Sequence, residues 1–215
     1  MLNDTEKERI SARVGALEAR SGTQIVTAFT ERCDHYPEIP WQAFALGAAL
    51  TAAILALGGG LLGKGQGGPL TFALVLSLCG GLGTLLLTVV LQPVARLFLE
   101  GARAEAEVRQ YAEGLFLQHE LFATPARRAL LLLVTRFERR VVVLPDRGLQ
   151  AALTPPVLDG IVAVMTARLT RGEVAAAIEA GLEALEPYLG VPGAGETDVG
   201  KLLPDEPIVT SGPWT

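Results

Sequence analysis

Three rhythms of apolar and polar residues follow one another along the chain, and each predicts a different kind of element. Near the N-terminus, Ile10, Val14 and Leu17 are spaced by four and three, the mark of a helix with one buried stripe. Asn3 and the acids after it suit a first helical turn, and Ser21-Gly22 suits a stop. Residues 23–30 then alternate and are rich in β-branched side chains, which predicts a strand. Within about ten residues the rhythm vanishes. From Ile39 to Gly63, and again from Gly65 to Ala95, there is no Asp, Glu, Lys, Arg or His. Each run exceeds the roughly 20 residues a helix needs to cross a bilayer. The polar, glycine-rich turn Gly63 to Pro69 joins them into a helical hairpin.

Periodicity returns at Pro93, which opens a long helix whose stripe carries Val94, Leu97, Phe98, Gly101, Val108, Ala112 and Leu115. Residues 129–135 are almost wholly apolar and read as a strand buried on both faces. A turn at Phe137 to Arg139 sends Arg140–Leu144 back as its hairpin partner, and two helices follow, Pro155–Thr170 and Glu173–Leu189. The predicted class is α/β: a small three- to four-stranded sheet flanked by helices and interrupted by a two-helix transmembrane hairpin. The corresponding domains are 1–38, the first part of the α/β domain; 39–92, the hairpin; 93–189, its second part; and 190–215, an acidic Pro/Gly-rich tail.

Composition sharpens this picture. Half of the 215 residues are hydrophobic and 19% are charged, and the excess is confined to residues 39–95. The net charge is −5, with no Lys/Arg-rich tract, so nucleic acid is not an expected partner. The hairpin loop offers one lysine, Lys64, whereas the flanks offer Arg32, Arg96, Arg103 and Arg109; positive-inside bias places both termini in the cytoplasm. Trp41 and Arg96 are the expected membrane-interface residues. The charged, amphipathic N-terminus has no apolar core of a secretory signal. Cys33 and Cys79 fall at different membrane depths and have no CxxC partner, so free thiols are expected.

Small residues recur in both spans, Gly47, Ala48 and Ala52 in the first and Gly80, Gly81 and Gly83 in the second, suited either to packing within the hairpin or to a groove for another helix. Gly58 to Lys64 fits GxxxxGK, but Gly65 stands where a phosphate-binding loop has Ser or Thr, and no strand precedes it; no nucleotide is expected. His35 and His119 lack metal-ligand spacing, and none of the four serines sits in a nucleophile elbow. No catalytic residue is assigned. The tail cannot build a core, yet it holds Leu202, Leu203, Ile208, Val209 and Trp214, which read as partner-binding positions or as part of an unstructured end.

Three stretches carry a family resemblance: Leu17 to Val26, Phe116 to Thr124, and Leu132 to Gly148, the last with its Glu-Arg-Arg turn and Asp-Arg-Gly ending. Together they resemble the TPM domain family, in its bacterial form with a membrane hairpin inserted in the domain, over roughly residues 1–189. The resemblance implies a bacterial inner-membrane protein. It also implies company: relatives include photosystem-repair proteins, one proposed to be an acid phosphatase, and an auxiliary channel subunit. A phosphatase would need acids gathered for a divalent metal, for which Asp146, with Asp159 and Glu120 as helpers, are the candidates; on residue type, Asp146 before Gly148 is more often a turn former. The expected function is a non-enzymatic accessory subunit or assembly factor of a membrane protein complex. It would use hairpin and tail for its partner and need no cofactor. The alternative is a membrane-tethered, metal-dependent phosphatase or other hydrolase.

Overall fold

The computed structural model describes residues 2–61, 70–190 and 206–210, and the chain divides into two compact units, 1–34 with 102–215, and 35–101. The first unit opens with helix α1 (Asp4–Ser21). A capping box starts it: the Glu6 N–H donates to Asn3 Oδ1 at 2.7 Å while the Asn3 N–H donates to Glu6 Oε2 at 2.8 Å. Gly22, at φ 60°, ends it in the left-handed conformation that a side chain disfavours. Strand β1 (Gln24–Thr30) is buried along its whole length.

The second unit, 35–101, holds α2 (Glu38–Leu61), α3 (Leu70–Val90) and the short α4 (Gln92–Leu97). Both α2 and α3 are long and apolar enough to cross a membrane. They pack through the small residues noted above. A Cβ on Gly47 would meet the Thr84 hydroxyl and the Gly80 carbonyl, and one on Gly80 would meet Thr51. Of the two uses for these small residues, packing within the hairpin is the one Gly47, Gly80 and Gly81 serve, whereas a Cβ on Gly83 meets nothing within 4 Å. Thr84 Oγ1 lies 2.8 Å from the Ala43 carbonyl across the interface. The GxxxxGK stretch falls largely outside the described residues.

The helix expected to run on from Pro93 is two helices. The last bonds of α4 tighten to the i→i+3 kind, Phe98 N–H to the Ala95 carbonyl and Leu99 N–H to the Arg96 carbonyl, and α5 (Gly101–Gln118) begins afresh at a glycine. After it come β2 (Ala129–Thr135), β3 (Arg140–Pro145), α6 (Pro155–Leu169), α7 (Val174–Leu189) and β4 (Ile208–Thr210). The sheet order is β3-β2-β1-β4, with β1 parallel to β2 and β4 and β3 antiparallel to β2. β2 is buried on both faces, as its unbroken apolar run predicts. On one face Ile25, Phe29, Leu130, Leu132, Val141 and Val143 meet α1, α6 and α7. On the other, Val26, Ala28, Leu131 and Leu133 meet Val108, Ala112 and Leu115 of α5. The result is an α/β layer fold. Its first strand precedes the hairpin in the sequence and its second follows it.

Candidate functional site

Asp146 directly follows β3 and is only 4% exposed. Both of its carboxylate oxygens are taken. Arg127 donates from Nε to Oδ2 at 2.8 Å and from Nη2 to Oδ1 at 2.9 Å, a bidentate fork. The Arg147 N–H donates to Oδ1 at 2.7 Å. Beside it, Gly148 presses against the Pro125 to Arg127 turn; a Cβ there would stand 2.3 Å from the Ala126 carbonyl and 2.8 Å from that of Arg127. Ala126 and Arg127 both hold positive φ, 55° and 56°, which is costly for side-chain-bearing residues. The Asp-Arg-Gly sequence is thus a clamp that locks a strained turn.

The other two metal candidates stand elsewhere. Glu120 follows the end of α5 in a left-handed conformation, φ 50°, and Asp159 lies on α6. No three His, Cys, Asp or Glu side chains converge on a metal-sized site among the described residues. The tail positions divide as well. Ile208 and Val209, expected to order on a partner, form β4 and pair with Ala28 and Phe29 of β1. The hydroxyl of Thr210 lies 3.0 Å from that of Tyr111. The tail's β-branched triplet finds an open strand edge within its own fold. Leu202, Leu203 and Trp214 lie outside the described residues. Trp41 sits in the first turn of α2, 68% exposed, and Arg96 in α4.

In open α/β sheets ligands gather at the carboxyl ends of parallel strands. Here those ends form a row of threonines in register, Thr135, Thr30 and Thr210, with Arg140 of β3 opposite Thr135. The loops above them are tied down. Arg136 pairs with Glu31 at 3.3 Å, and the Arg32 guanidinium lies 4.1 Å over the Phe137 ring. The buried carboxylate of Glu138 accepts the Cys33 N–H at 2.9 Å. Burial, then the nearby charges of Glu138, Glu107 and Asp34, push the Cys33 thiol far above its ordinary acidity range. Cys33, in the segment that joins β1 to α2, is therefore a buried thiol whose ionisation is suppressed. The Glu138–Cys33 contact spans 105 positions, and no local pattern announces it.

A groove of about 570 Å³ runs along the outer side of β3. One wall comes from α5 with Glu105, Val108 and Arg109, the other from α6 with Leu158, Asp159 and Val162; Val141, Val142 and Val143 lie between them. Arg140 pairs with Glu105 at 3.8 Å. Asp159, a metal candidate by sequence, is a wall residue of this groove.

No curated protein matches the chain. Among solved structures it is similar to the NMR structure of the BA42 protein from the psychrophilic bacterium Bizionia argentinensis, with 10% identity, a TM-score of 0.56, and coverage of 98% of this chain and 96% of that one. That likeness carries the fold alone. The family resemblance read over roughly residues 1–189 is matched in the second half, from the end of α3 into the last turn of α7, where the chain is similar to the TPM domain: the family model fits residues 89–188.

Proposed function

We propose that this TPM-domain chain is a membrane-anchored, non-enzymatic accessory subunit or assembly factor of a larger membrane protein complex. In this reading α2 and α3 both cross the bacterial inner membrane and both termini face the cytoplasm. The observation that carries it is the engagement of Asp146. Asp146, the acid expected to serve hydrolytic work, has its oxygens filled by Arg127 and by a backbone N–H, and so it does structural work. Two further features support it. The apolar residues facing away from the α2–α3 contact, among them Leu46, Leu50, Ile54, Leu82 and Leu86, suit lipid or a neighbouring helix. The α/β unit keeps an open groove at one sheet edge.

The test is the size of what the tagged protein travels with after mild detergent extraction. Co-migration with a large complex is the expected result; migration alone would overturn the reading. Cutting away the whole tail would remove β4 as well, so the contribution of the tail is better measured with Leu202→Ala, Leu203→Ala and Trp214→Ala. These leave Ile208–Thr210 in place. The hydrolase alternative predicts phosphatase turnover that disappears in Asp146→Ala.

A further inference from the structure

The antiparallel ladder between β2 and β3 has a fixed phase. The Asp146 N–H donates to the Ala129 carbonyl at 2.9 Å, and alternate residues along β3 repeat that inward orientation. Leu144, Val142 and Arg140 therefore turn their backbone groups toward β2, while Val141 and Val143 turn theirs to the open side. Among the described residues no strand pairs with that side. Pro145 has no N–H to offer and ends the run; Arg140 begins it. The open stretch is thus a short edge, two full donor–acceptor sets long, at the floor of the groove.

The walls add side-chain specificity. Val141 and Val143 belong to the α6 face of the sheet, Val142 and Leu144 to the α5 face. On the α6 side the groove is lined by Pro155, Leu158 and Val162, with Asp159 among them. On the α5 side stand Arg109 and the Arg140–Glu105 pair, and Arg139 lines the groove from the turn before β3. Arg109 and Arg139 are exposed and form no salt bridge among the described residues. One wall is therefore mainly aliphatic and the other carries surplus positive charge.

We propose that this groove is a strand-acceptor site for an extended acidic peptide segment of a partner protein. The segment adds a fifth strand to β3 through Val141 and Val143, with aliphatic side chains toward α6 and carboxylates toward Arg109 and Arg139. Backbone bonds along an edge supply affinity, and the alternating side chains supply specificity. The proposal rests on the accessory-subunit reading above, for which it names the docking surface and the chemistry of the partner.

The experiment uses the full chain in phospholipid nanodiscs and a fluorescent Glu-Val-Glu-Val-Glu-Val-Glu peptide, followed by anisotropy. Binding is expected, and Arg109→Glu should weaken it by about tenfold because a favourable charge contact becomes repulsive. Replacing the peptide's glutamates with lysine, or methylating its backbone nitrogens, should abolish it. Val143→Pro removes an edge N–H but also disturbs β3 itself, so the second measurement is made on the unaltered protein: amide exchange at Val141 and Val143 should slow when the peptide is added. No binding, or binding unaffected by Arg109→Glu and without slowed exchange, would overturn the proposal. So would a dimer that dissociates in Arg109→Glu, since the edge would then pair with a second copy of the chain. Co-migration of Arg109→Glu with an unchanged large complex would remove the groove as its docking site and leave the accessory reading standing. Migration of the unaltered protein alone would remove that reading whatever the peptide does.

Discussion

Arg128 draws together three segments that lie far apart in sequence. Its Nη2 donates to the Ser21 carbonyl at 3.2 Å, to Thr23 Oγ1 at 3.3 Å and to the Leu189 carbonyl at 2.7 Å. Both carbonyls are at the C-terminal ends of α1 and α7, where unpaired backbone oxygens concentrate negative potential. Arg128→Leu should cost about 2–3 kcal/mol, as hydrogen bonds to a charged group do, and thermal unfolding in detergent would report it. The clamp at Asp146 and Gly148 should respond differently to its two obvious variants. Asp146→Ala releases a bonded turn, at about 1–3 kcal/mol; Gly148→Ala drives a methyl into backbone atoms that cannot give, and should be at least as damaging. Cys33 predicts a pH effect with a definite sign. Its ionisation is suppressed in the folded state, so its contribution to stability is complete below the ordinary thiol value of 9.0 and is lost as pH rises beyond it. Unfolding midpoints measured from pH 8 upward should fall for the native chain and fall less for Cys33→Ala. Little of this residue-scale structure is legible from sequence. Asp146 is readable as a turn former from its neighbour Gly148, but its partner Arg127 lies 19 positions away. Arg128 follows an arginine of quite different role, and nothing local separates the two.

At the scale of elements the record is better, because periodicity is a local property and burial enforces it. α1, β1, β2, β3 and the last two helices all arise where the apolar spacing predicts them. The exceptions are cases in which a distant contact or a boundary decides. The break between α4 and α5 falls beside Gly101, a residue that the continuous stripe had absorbed, and at the edge of the second unit. β4 is too short for any pattern to reveal; its order comes from the β1 edge, from Tyr111 and from the Thr210 carbonyl accepting the Glu31 N–H at 3.3 Å. The α2–α3 pair gives the prediction that belongs here. Gly80→Val places bulk against Thr51 and should weaken hairpin packing by about 1–3 kcal/mol. Thr84→Val, which removes one hydroxyl shared among the Ala43, Gly80 and Gly81 carbonyls, should cost about 0.6 kcal/mol. Steric-trap unfolding in bicelles would rank them. Equal effects would mean that close backbone approach is not what holds the helices together.

At the scale of the whole molecule, the α/β unit is closed by its own core. Seven residue pairs join β1 to β2, and clusters on both sheet faces draw on residues from before and after the hairpin. A chain in which residues 35–101 are replaced by a flexible linker should therefore stay in solution without detergent and unfold in one cooperative step. An aggregated or molten product would show that the hairpin is part of what makes the sheet. The same pairing has a consequence for biosynthesis. β1 leaves the ribosome about a hundred residues before β2, and until then it has no neighbour in the sheet. If only one of α2 and α3 entered the bilayer, the two strands would be stranded on opposite sides and could never meet. In the membrane-spanning reading, sheet formation is therefore conditional on both helices crossing or neither, and a folded domain excludes the insertion of one alone. Placing two arginines in the middle of α3 should then do more than spoil a helix. It should leave β1 protease-sensitive, in a molecule whose α/β sequence is untouched, because β1 would be held apart from β2.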